Sequence, residues 1–150
     1  MPHADAVQQA MAAAPFRPTR LFSSDLPRCA TLAHGLADAW SVPMSADPSL
    51  REMNFGEWEG RAYDAIEAED GTRWQHWCTN WRTVAPPGGE SLDAFVDRVS
   101  GWLQRHTLTP TDVIVTHAGV IRVVRVLSGS TWEDAMDSSN PFLGWIKHAL

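Results

Sequence analysis

The chain has 150 residues, 44% of them hydrophobic and 20% charged, which fits a single globular domain over residues 1–150 and excludes disorder, collagen and coiled coil. Lys and Arg number 12 against 18 Asp and Glu, a formal charge of −6, so bulk electrostatic binding of nucleic acid or of an anionic membrane surface is not expected. An anionic ligand would need a local positive pocket.

Residues 4–14, rich in Ala and Gln, read as a helix that Pro15 and Pro18 end. Residues 20–24 are a short strand candidate, and Asp25 with Pro27 suits the cap and first turn of the helix that follows. Along that helix Leu26, Cys29, Leu32, Ala33, Leu36 and Trp40 recur every three or four residues as one apolar stripe. After Val42 and Pro43 the pattern predicts a loop as far as residues 50–60, where Gly56 and Gly60 punctuate the chain too closely for a long helix. Tyr63, Ile66, Trp74, Trp77 and Trp81 then share a helical face, with a bend expected at Gly71. The turn at residues 86–89 leads into the clearest amphipathic helix, marked by Leu92, Phe95, Val96, Val99, Trp102 and Leu103. Residues 113–116 form a β-branched run of the kind found in buried parallel strands, and Val120, Val123, Val124 and Leu127 mark a helix directly after it. Thr131 suits the cap of a last short helix, and residues 142–150 suit a closing strand.

Two cysteines, Cys29 and Cys78, are too few for a disulfide framework and have no metal-ligand spacing, so a reducing cytoplasm is the expected compartment, with no metal. Residues 1–15 are interrupted by Asp5, Gln8 and Gln9, and the apolar run at 113–127 by His117, Arg122 and Arg125. Neither a secretory signal nor a membrane span is expected.

Strands alternating with helices predict an α/β fold, a three-layer α/β/α sandwich around a mostly parallel sheet. Ligands in such sheets bind beyond the carboxyl ends of the strands, where helix N-termini offer free amides, so the two strand-to-helix junctions at Ser24 and His117 should face one edge. In the first, Arg28 stands in the opening turn of its helix, where a guanidinium can grip phosphate or carboxylate through paired hydrogen bonds. In the second, His117 can carry charge or a proton near neutral pH, and Gly119 lets the backbone approach a ligand. Each residue also has a plainer reading, a solvated surface charge for Arg28 and a hydrogen-bonded structural histidine for His117. Of the other histidines, His3, His34, His76, His106 and His148 lie in helical patterns or in the terminal segments, not at such a junction.

Residues 23–33, SSDLPRCATLA, resemble the SSxLxRxxxTA segment of the histidine phosphatase (phosphoglycerate mutase-like) superfamily. LREMNFGEWEG at 50–60, PPGGESLDAFVDRV at 86–99 and VTHAGVIRVV at 115–124 resemble the family's next landmarks, in order. The tryptophan-bearing FGEWEG and the PPGGES turn are most similar to the α-ribazole phosphatase branch, whose substrate is a phosphorylated precursor of the cobalamin nucleotide loop. The resemblance implies that Arg28 binds phosphate, that Glu52 donates the proton to the leaving oxygen, and that His117 is the second histidine of the pocket. It implies a small phosphorylated molecule as partner, a homo-oligomer as an option, and no cofactor. Arg28 and a protonated His117 would stabilise the equatorial oxygens, and Glu52 could act only in its protonated form.

The family's nucleophile is the histidine of an Arg-His-Gly triplet at the end of the first strand, and no such triplet occurs in this sequence. PHADAVQQA at residues 2–10 resembles the segment that follows that strand. The resemblance therefore implies a sheet lacking the family's first strand and a chain with little or no turnover, which an upstream strand ending in Arg-His-Gly would restore. A silent phosphate-ester-binding module, an inactive fragment and a phosphoglycerate mutase-like phosphotransferase are the other readings. The eight tryptophans read chiefly as packing residues, with a lid that stacks on a flat aromatic leaving group as the alternative for Trp58, Trp74, Trp77 and Trp81.

Overall fold

The computed structural model describes residues 2–141 and 143–146. Its elements are α1 (Pro2–Ala13), β1 (Arg20–Ser24), α2 (Pro27–Trp40), β2 (Met44–Asp47), α3 (Tyr63–Asn80), α4 (Leu92–Arg105), β3 (Asp112–Val115), α5 (Ala118–Leu127) and α6 (Trp132–Asp137). They fall into two compact units, one formed by Met1–Glu52 with Val99–Leu150 and the other by Met53–Arg98. No helix among the described residues is long and apolar enough to cross a membrane.

The first unit is built on a parallel sheet in the order β2-β1-β3, with Leu21 of β1 opposite Met44 on one side and Val113 on the other. Successive side chains of a strand point to opposite faces, and β1 separates two layers in this way. Leu21 joins Val7, Ala10, Leu36 and Trp40 of α1 and α2 in one core, with Met44, Val113 and Val115 packed against it. Phe22 points the other way, edge-on to Trp102 of α4 at 5.1 Å and to His106 at 5.4 Å. The result is the α/β/α sandwich that the alternating pattern predicts. Helix α1 approaches α2 closely because Gly35 leaves room: a Cβ there would meet Val7 Cγ2 at 2.6 Å.

Three local expectations are corrected. Residues 44–47 form strand β2 where the pattern predicts a loop. Their side chains are half-buried to exposed, so they lack a core-strand signature, and the strand exists through its pairing with β1. Asp25 does not cap α2: Leu26 holds the cap position without a side-chain bond, because both Asp25 carboxylate oxygens are taken by Arg51 at 2.6 Å. Residues 143–146 carry no strand, and the remainder of the expected closing strand, residue 142 and residues 147–150, lies outside the described residues.

In the second unit the two glycine-bearing segments pair with each other. The Glu57 N–H donates to Pro87 O at 2.9 Å and the Glu90 N–H to Asn54 O at 2.8 Å. Their backbones approach so closely that a Cβ at Gly56, which sits at φ +58°, would meet Pro87 O at 2.2 Å. The Glu90 carboxylate also receives the Asn54 N–H and a paired grip from Arg98. Trp58, only 2% exposed, donates its Nε1–H to Asp70 at 3.0 Å and lies edge-on to Trp74 and Trp77 at 5.4 and 5.9 Å. Helix α3 bends at Asp70 (φ −142°, ψ 37°), one residue before the glycine expected to bend it, and that carboxylate also holds Arg73.

Candidate active site

Strands β1 and β3 run parallel in adjacent positions, with Ser23 opposite Val115, so their carboxyl ends open on the same edge of the sheet. Ser23 and Ser24 are fully buried, and a buried hydroxyl must find partners. Ser24 Oγ accepts the Leu26 N–H at 3.2 Å as the chain turns into α2. Across the junction His117 holds the cap position of α5 in an extended conformation (φ −105°, ψ 160°) and is 5% exposed. Its Nε2 lies 2.9 Å from Ser24 Oγ and 3.5 Å from Cys29 Sγ. Burial pushes the Cys29 thiol up to about 11, against the pull of Arg28, so it meets the imidazole as a neutral S–H.

Arg28 and His117 line one groove of about 300 Å³, with Cys29, Leu32, Val115 and Ile121 among its walls. Arg28 is exposed in the first turn of α2, and its guanidinium is bonded to no described residue. The structure thus brings to one groove a cation with no counterion among the described residues and a buried histidine, an arrangement suited to an oxyanion.

Glu52 reaches the same junction by another route. Its Oε2 accepts the Gly119 N–H at 3.2 Å, two residues beyond His117 in the first turn of α5. Two further bonds hold the short segment before it. Thr116 Oγ1 donates to Leu50 O at 2.7 Å, and Arg51 grips Asp25, whose carboxyl the guanidinium holds below the usual aspartate range. Residues 50–52 are therefore tied at three points, to Thr116, Asp25 and Gly119, around the ends of β1 and β3. His3, His34 and His76 lie on helices α1, α2 and α3, His106 stacks on Trp102 at 4.3 Å, and His148 lies outside the described residues.

Sequence reasoning singled out Arg28, Glu52 and His117 but missed Ser24, Cys29, Thr116 and the Asp25–Arg51 pair. One signal was present for Ser24: two serines follow the apolar Leu21 and Phe22 at the end of a strand, and buried polar groups need a reason. The Asp25–Arg51 pair had none, since its partners are brought together only by the fold.

A parallel α/β sheet whose adjacent strand ends bring an arginine, a buried histidine and a helix-bound glutamate together is the frame of one class of protein. The chain belongs to the histidine phosphatase superfamily (branch 1), which matches it over residues 2–137. It is 32% identical over 127 residues to the adenosylcobalamin/α-ribazole phosphatase of Salmonella typhimurium, an alignment covering 79% of this chain and 62% of that protein. Its identity to the protein of the same name in Escherichia coli is 28% over 122 residues, 76% of this chain and 60% of the relative. The α-ribazole phosphatase structure from Shigella flexneri superimposes with a TM-score of 0.74 at 26% identity, covering 89% of this chain and 68% of that one. The chain thus spans about 60% of the length of the curated relatives.

Proposed function

We propose that this chain is the phosphate-binding and proton-donating part of a histidine-type phosphatase for a small phosphomonoester, with an α-ribazole 5'-phosphate-like molecule as the substrate class. The observation that carries this reading is the groove shared by the buried His117 and Arg28, which has no counterion among the described residues. In this reading Arg28 binds two phosphate oxygens, His117 donates a hydrogen bond to a third, and Glu52 gives the leaving oxygen its proton. The similarity to cobalamin-pathway phosphatases supports the substrate class. A cytoplasmic setting is part of the proposal, supported by the unpaired Cys29 and Cys78.

Transfer through a phosphohistidine needs a second histidine in line with the scissile bond, and the 150 residues contain no Arg-His-Gly triplet. The 150-residue chain therefore binds a phosphomonoester without turning it over. Calorimetry with inorganic phosphate should show saturable binding that Arg28→Ala weakens about tenfold or more, the loss expected for a charge-assisted pair. A folded sample that binds no phosphate would overturn the site. An assay on a generic aryl phosphate should show no turnover, and turnover abolished by His117→Ala would overturn the claim of a silent chain.

A further inference from the structure

We infer that Ser24 is a positioning residue for His117, its buried hydroxyl deciding which ring nitrogen carries the imidazole proton. A serine hydroxyl has one proton to give and two lone pairs to fill. Ser24 Oγ has two partners among the described residues, the Leu26 N–H at 3.2 Å and His117 Nε2 at 2.9 Å. The amide can only donate, so it occupies a lone pair. The hydroxyl proton, on a side chain with no exposure to solvent, then has a single acceptor in reach among the described residues, which is Nε2. A neutral imidazole whose Nε2 accepts must carry its proton on Nδ1.

The nearby thiol does not compete with this choice. Cys29 Sγ stands 3.5 Å from Nε2 and 3.8 Å from Nδ1, contacts that favour neither tautomer strongly, and it remains a neutral group. The charged groups that act on the adjoining Cys29 are Arg28 and Glu52, and Glu52 is bonded to the Gly119 N–H. Ser24 thus gives the groove-lining His117 the Nδ1–H form, and a neutral imidazole of that form can bond a phosphate oxygen that reaches Nδ1 without first gaining a proton. This last step rests on the phosphatase reading, whereas the tautomer itself does not.

The test is long-range proton–nitrogen NMR on the uniformly labelled 150-residue chain, with the His117 signals assigned by their loss in His117→Gln. The wild-type spectrum should show the Nδ1–H tautomer, and an Nε2–H pattern there would overturn the inference without any Ser24 variant. Ser24→Ala should give averaged nitrogen shifts, a mixture of tautomers, and Ser24→Thr, which keeps the hydroxyl, should restore the single form. If Ser24→Ala leaves the pattern unchanged, or the alanine and threonine variants behave alike, Ser24 only fills space. Inorganic phosphate is the separate probe of the underlying reading. It should shift the His117 nitrogen resonances, with an affinity roughly fivefold weaker in Ser24→Ala, the worth of one hydrogen bond. If phosphate moves no His117 resonance in the wild-type chain, the catalytic sense of the positioning falls, whichever tautomer Ser24 selects.

Discussion

At Gly56 two demands meet in one residue: a backbone at φ +58°, and a neighbouring loop so near that a Cβ would lie 2.2 Å from Pro87 O and 2.5 Å from the backbone of Gly88. The atoms in the way are main chain, which cannot swing aside as a side-chain tip can. Gly89 answers from the opposite loop, where a Cβ would meet Asn54 O at 2.6 Å. Gly60 also has a positive φ, of 71°, but nothing lies within 4 Å of the position a Cβ would take. The three positions therefore separate steric from conformational cost. Gly56→Ala should destabilise the protein by about 3 kcal/mol, and Gly60→Ala by about 1 kcal/mol, read from denaturant midpoints. Equal losses would show that the contact between the loops is not what the glycines serve.

Among the elements, the strand-to-helix junctions were the most legible in the sequence, because their signals are local. An apolar run, a polar junction and a renewed helical period placed β1, α2, β3 and α5, and with them Arg28 and His117. What could not be read depends on partners distant in the chain. Strand β2 owes its form to pairing with β1, and Asp25 was drawn from its expected cap by Arg51, 26 residues away. The bend in α3 fell at Asp70 because that side chain has two partners to hold, Trp58 and Arg73, while Gly71 has no such anchor. The same non-local ties govern how the sheet responds to acid. Asp112 opens β3 with paired bonds from Arg20 of β1 and a third from the Thr109 N–H, and these hold its carboxyl below the usual aspartate range. A carboxyl lowered by folding adds stability above its unfolded value, about 3.9, and loses that contribution as pH falls through the folded value. Asp112→Asn should therefore lower Tm by roughly 4 °C at neutral pH. The difference from wild type should shrink as the buffer is taken below about pH 3.9. A difference that stays constant across that range would assign the effect to packing.

On the scale of the whole molecule, the sheet of the first unit has β1 at its centre, and β3 pairs only with β1 among the described strands. Every residue of β3 keeps some exposure, including Val113, Ile114 and Val115. A central strand of a parallel sheet is ordinarily buried on both faces, so a β-branched run in this condition marks an edge open to solvent. Beside it lies the groove that Arg28 and His117 share, with Leu32, Leu36, Ile121 and Trp145 among its apolar residues. Apolar surface of this kind is what environment-sensitive dyes such as anilinonaphthalene sulfonate report. The sulfonate of that dye also carries the charge that Arg28 would attract. The folded chain should therefore enhance dye emission while keeping an intact near-ultraviolet dichroism spectrum, which separates a native groove from a molten state. Inorganic phosphate should reduce the enhancement by competing at Arg28. Leu32→Asp, which places a like charge against the sulfonate on the apolar wall, should remove most of it without loss of helical signal. Dye binding that resists both treatments would locate the open apolar surface away from β3 and its groove.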